Sequence, residues 1–127
     1  MTTDLWMLTA AVGLTWILIL VPTLHPVLTN PRWAMGNRLD DIAVPDWTQR
    51  ARKTSANMNE NLPLFAALVL IAHVSGQADA TSALGAEIFV AARIVHAAIY
   101  IAGVPALRTV VWLVSIVGMA MVAASLF

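Results

Sequence analysis

The chain has 127 residues, 60% of them hydrophobic and 11% charged, with a net charge of zero and a mean hydropathy of +0.80. Soluble domains are nearer half apolar and a quarter charged, so this composition excludes an ordinary soluble fold and points to an integral membrane protein. Zero net charge gives no electrostatic pull toward nucleic acid, and the lack of cysteine excludes disulfides, thiolate metal sites and a cysteine nucleophile of the chain's own.

Leu5 to Val21 is apolar and approaches the ~20 residues needed to span a bilayer. Only Asp4 precedes it as a charge, so it lacks the basic start of a signal peptide and reads as a retained helix. Pro22 and Pro26 are expected to kink or end this helix, no later than Leu28. Asn30 to Arg52 is the long polar stretch, with Arg32, Arg38, Arg50 and Arg52 set against Asp40, Asp41 and Asp46. Trp33 and Trp47 flank it, as tryptophans do at membrane interfaces, and Asn30-Pro31 and Pro45-Asp46 mark turns.

A second helix is predicted over residues 47–74, a third over 82–103 and a fourth over 109–127. The connections are Ser75–Asp79 and a tight Val104-Pro105 turn. The whole is one domain, an all-α, integral membrane four-helix bundle. Short connections make the last three helices antiparallel neighbours. Arg32, Arg38, Arg50, Arg52, Lys53 and Arg108 then fall on one side. The positive-inside rule puts the long loop in the cytoplasm and both termini opposite.

Chemistry concentrates on two stripes. Lys53, Asn57 and Glu60 share a face of the second helix, in a stretch that opens an apolar segment, where polar groups usually have a partner or a task. Pro63 just beyond them is expected to kink the helix. On the third helix Arg93, His96 and Tyr100 stand at i, i+3 and i+7, one stripe. At 1.5 Å per residue each stripe covers about 10 Å of axis, and the two overlap in depth. Glu60 is the expected partner of Arg93, with Glu87 on another face of the third helix as competitor. One reading is a structural ion pair. The other is a pocket open to the cytoplasm, holding Lys53, Arg93, Arg108, Glu60, Asn57, Asn61 and Tyr100, suited to a zwitterionic or peptide-like ligand. His25, His73 and His96 show no metal-ligand spacing.

Asn57-x-x-Glu60-x-x-Pro63-x-Phe65 after a basic stretch resembles the second helix of the MAPEG family, the membrane-associated proteins of eicosanoid and glutathione metabolism. Arg93-x-x-His96-x-x-x-Tyr100, followed by Arg108, resembles the family's third helix and the turn after it. The contexts Glu-Asn-Leu-Pro-Leu-Phe and Ala-Arg-Ile-Val-His are similar to the bacterial branch, and the resemblance covers essentially the whole chain. It implies a homotrimer with glutathione bound between subunits near the cytoplasmic face, in a bacterial inner membrane. It also implies that Lys53, Asn57, Glu60, Tyr100 and Arg108 match the family's glutathione contacts. His96 matches a contact in the prostaglandin E synthase branch, Arg108 the arginine that activates the thiol, and Arg38 a cationic contact from the end of the first helix. The chain departs from the family in carrying Lys53 where arginine is usual, which gives up a bidentate grip on a carboxylate. Ala56 replaces a residue that is basic in some branches.

The function this implies is a glutathione-dependent membrane enzyme, of transferase or peroxidase type, acting on lipophilic electrophiles that arrive from the bilayer. Arg108 and Tyr100 are its catalytic candidates, and Arg93 belongs with the cofactor-binding set. The alternative is a non-catalytic MAPEG-like protein that keeps the polar cluster for assembly or partner binding. A small four-helix exporter is disfavoured, because the first helix has no central acidic residue.

Overall fold

A computed structural model describes residues 1–127. It is all helical, with α1 at Thr3–Thr29, α2 at Pro31–Met35, α3 at Asp46–Val74, α4 at Ala80–Ala102 and α5 at Pro105–Ala124. The second, third and fourth helices expected from the sequence correspond to α3, α4 and α5. Three helices, α1, α4 and α5, are long and apolar enough to cross a membrane. At 29 residues α3 is the longest, but its first half, Asp46 to Glu60, is largely polar.

Neither proline ends α1 early. Pro22 and Pro26 are four residues apart, so they lie on one face of the helix, and both are buried. Membrane helices tolerate such prolines because neighbouring groups take up the freed carbonyls. Likewise α3 runs unbroken through Pro63. The short α2 was not expected. It starts on Pro31, whose fixed φ suits a first helical position. By the same physics α5 starts at Pro105 rather than at Thr109, and this puts Arg108 on the first turn of a rigid helix instead of in a loop. At the other end of α4, the Asp79 carboxylate accepts from the Thr81 and Ser82 amides at 2.9 and 2.8 Å. Ser82 in turn accepts from the Asp79 amide. This reciprocal cap starts the helix at Ala80, two residues earlier than its apolar pattern shows.

The core joins α1, α3, α4 and α5. Phe65 of α3 stacks on Phe89 of α4 with ring centroids 4.0 Å apart. Ala11 and Leu18 of α1 and Val122 of α5 close around them. Where α4 and α5 cross, Gly85 meets Gly118. A Cβ on Gly85 would stand 2.6 Å from the Gly118 carbonyl oxygen, and one on Gly118 2.6 Å from that of Gly85. Backbone cannot yield as a flexible side chain does. Gly118→Ala is therefore expected to cost about 1–3 kcal/mol, the usual penalty of overpacking. It would be read as a lower unfolding midpoint in detergent; an unchanged midpoint would mean that the two helices part without loss.

This packing brings the C-terminal ends of α1 and α4 and the N-terminal ends of α3 and α5 to one end of the bundle. His25 lies edge-on to Trp47, 6.3 Å between centroids, and the Arg50 Nε donates to the Ile101 carbonyl at 2.8 Å. Of the seven lysines and arginines, all but Arg93 gather at this basic end.

Candidate functional site

The stripe on α4 leads from the bundle interior to the basic end. Arg93 is 1% exposed and His96 3%, while Tyr100 is half-buried. The Tyr100 ring is held on two sides. His96 packs edge-on against it at 5.6 Å between centroids, and the Arg108 guanidinium lies over its face at 4.5 Å. That distance is within the range of a cation–π contact. The phenol and the guanidinium thus arrive at one place from α4 and α5.

Arg93 does not pair with Glu60. Its Nη2 donates to the Asn57 Oδ1 at 2.7 Å, whereas its Nε and Nη1 have no protein partner. Glu60 is exposed on the outer face of α3, as Glu87 is on α4. The physical reason is azimuth. Asn57 and Glu60 are three residues apart, so they point about 60° apart around the helix axis, and the amide is the one turned to α4. Asn61 supports this arrangement from below, its Nδ2 donating to the Asn57 carbonyl at 2.7 Å. The expected structural ion pair is a charged hydrogen bond to an amide.

At the mouth of the stripe is a cavity of about 230 Å³, lined by Arg50, Lys53, Tyr100, Arg108 and the turn Gly103–Pro105. Three cations and one phenol face it, and no carboxylate does. Such a wall suits an anion. Arg50 escaped the sequence reading, because a basic residue near an interface looks like a solvated anchor. The signal was present: Arg50, Lys53 and Asn57 stand at i, i+3 and i+7. Arg50 caps the end of α4, and its guanidinium presses on Gly103, where a Cβ would lie 3.2 Å from the Arg50 Cζ. Gly103 also has φ +86°, a left-handed conformation that favours glycine. Both constraints fix the turn that carries Arg108.

The sequence profile of the MAPEG family matches residues 5–127. The chain belongs to the MAPEG family. No curated protein and no solved structure matches it. Membership agrees in general terms with a membrane protein of glutathione-related chemistry. Of the residues that the MAPEG resemblance singles out, Lys53, Tyr100 and Arg108 meet at the cavity. Asn57 and His96 lie deeper along the stripe, next to Arg93. Glu60 faces away from the protomer. Arg38 lines a different cavity, with Arg52 and Trp33.

Proposed function

We propose that this MAPEG protein is a glutathione-dependent membrane enzyme of transferase or peroxidase type, acting on lipophilic electrophiles. The observation that carries this reading is the cavity walled by Arg50, Lys53, Arg108 and Tyr100. Glutathione presents two carboxylates and a thiol, and when bound it supplies the sulfur nucleophile that the cysteine-free chain lacks. The residues fit that chemistry. Arg50 and Lys53 are placed to bind carboxylates, and the Arg108 guanidinium, fixed over Tyr100, is placed to hold a deprotonated sulfur. The Tyr100 hydroxyl can donate a hydrogen bond to the same atom. The test is a titration of purified protein with glutathione, followed by turnover of a lipophilic aryl halide. Saturable binding that weakens at least tenfold in Lys53→Ala is expected. Failure to bind would overturn the reading.

The reading includes a homotrimer. Ligand pockets usually enclose about 300–1,000 Å³, and 230 Å³ within one protomer falls short of that. A neighbouring protomer over the exposed Glu60 face would enlarge the site and shelter the carboxylate, since polar groups on membrane helices normally face protein or a wet cavity. Native mass spectrometry from mild detergent is expected to show trimers that persist in glutathione; monomers alone would count against this assembly.

It also includes four membrane spans in a bacterial inner membrane, with the basic end cytoplasmic and both termini opposite. The gathering of six of the seven basic residues at one end supports this orientation. Asp40→Cys and Gln77→Cys are expected to label with an impermeant thiol reagent from opposite sides. Labelling of position 77 from the cytoplasm would reverse the topology.

A further inference from the structure

A second cation-lined cavity lies at the basic end, apart from the one just described. It encloses about 190 Å³ between the last turns of α1 and the start of α3. Pro22 and Pro26 form its floor and Trp33 one wall, with Thr23 and Val27 on the α1 side. Arg38 and Arg52 supply its charge, and no carboxylate lines it.

Its parts are held in place. The Trp33 Nε1 donates to the Asp40 carbonyl at 2.6 Å, which fixes the indole. Arg38 takes φ +56°, the one left-handed residue in the chain that is not glycine. A conformation disfavoured for side-chain-bearing residues persists only where its surroundings enforce it, and such outliers gather at functional sites. Here it turns the Arg38 guanidinium back onto α2. The Nε and Nη2 donate to the Ala34 carbonyl at 3.0 and 2.9 Å, and the Cζ lies 5.6 Å from the Trp33 ring. These contacts leave Nη1 free to donate. Arg52 is exposed and makes no hydrogen bond within the protein, although it stands on the same helix as Arg50, which does.

The surface that runs away from this cavity toward the middle of the membrane is apolar. Val27, Leu24, Leu20 and Ile17 of α1, in that order from the cavity, are 44%, 53%, 58% and 59% exposed. A ligand that fits has an anionic head for two arginines and a long apolar tail for the outer face of α1. A free anion uses only the first of these. We infer that the Arg38–Arg52 cavity binds the phosphodiester headgroup of an anionic phospholipid, whose acyl chains lie along α1. The lipid then ties the end of α1 to the start of α3. Its lining shares no residue with the cavity walled by Arg50, Lys53, Tyr100 and Arg108; the family likeness groups Arg38 with the glutathione contacts, so the test reads Arg52, which is not among them.

Full-length protein in a neutral detergent, supplied with equal phosphatidylglycerol and phosphatidylcholine, provides the test by native mass spectrometry. One phosphatidylglycerol per protomer is expected to survive activation that strips phosphatidylcholine. A basic residue near a membrane surface adds about fivefold to anionic lipid affinity, so Arg52→Gln is expected to weaken retention by about that factor. Arg38→Gln/Arg52→Gln should weaken it by about 25-fold on the same scale. Arg32→Gln, at the same end but outside the cavity, should retain lipid as wild type does. The single Arg52→Gln variant breaks no internal hydrogen bond, so the test survives even if the double variant fails to fold. Equal retention of the two lipids, or unchanged retention in Arg52→Gln, would overturn the site. So would displacement of the lipid by millimolar inorganic phosphate, which would reduce it to a site for free anions.

Discussion

Asn57→Ala is expected to destabilise the protomer by about 3 kcal/mol or more, because it leaves a buried charged donor without its hydrogen bond. The Arg93 guanidinium is 1% exposed, and two of its three nitrogens already lack a protein partner. The 2.7 Å bond to the Asn57 Oδ1 is what remains. Arg93→Met removes the charge and keeps much of the volume, so it should cost less, about 1–3 kcal/mol, mainly the orphaned amide oxygen. The double variant should lie below the sum, with a coupling of about 1–3 kcal/mol for residues in direct contact. Glu60→Gln combined with Arg93→Met should be additive within about 0.5 kcal/mol, as for residues with no shared partner. Reversible unfolding in mixed micelles measures all of these. Coupling of Arg93 to Glu60 instead of Asn57 would show that the carboxylate, not the amide, faces α4.

The contrast between the two partners shows what a sequence can carry. Helical rise places Asn57, Glu60 and Arg93 at comparable depth, and that reading holds. Depth does not give azimuth. A helix turned by tens of degrees exchanges one polar neighbour for another, and only packing, here Phe65 on Phe89 and Gly85 on Gly118, decides the turn. The apolar runs were legible to within a few residues, because a membrane helix announces itself by length and composition. The boundaries that moved did so through local chemistry that hydropathy does not see: the Asp79–Ser82 cap and Pro105 at a first helical position. A helix as short as α2 has too few turns to show a period. Lys53, Tyr100 and Arg108 could be placed together because their stripes converge on one end. Arg50 stands on the same stripe as Lys53 and Asn57, but that spacing does not reveal the α4 carbonyl that it caps. Arg38 shows the reverse limit. The likeness to the family groups it with the glutathione contacts, while the fold of this protomer sets it beside Arg52.

Arg108→Ala is expected to cost the protein most of its reactivity toward electrophiles at neutral pH, with glutathione binding weakened much less. A free thiol has a pKa near 8.5, so at pH 7 only about 3% is in the nucleophilic thiolate form. A guanidinium within hydrogen-bond reach favours the charged form and lowers such a pKa by about 1–3 units. For a drop of about two units, the thiolate fraction at pH 7 rises to about three quarters, a gain of about 25-fold. The sign follows directly: removing the cation raises the pKa of the bound thiol, so thiolate and rate are lost at neutral pH and regained as the pH rises toward 8.5. Wild type should therefore show a rate that levels off near neutrality, and Arg108→Ala one that still climbs well above it. Arg108→Lys should fall between them, since a lysine keeps the charge but is a point donor that can give up its proton. The geometry favours arginine, because a planar guanidinium can stack on the Tyr100 ring at 4.5 Å and still present its edge to the cavity. Ultraviolet thiolate absorbance on adding glutathione separates activation from anchoring. If wild type binds glutathione without forming thiolate at pH 7, or Arg108→Ala forms as much as wild type, then Arg108 only anchors the start of α5 at the membrane surface.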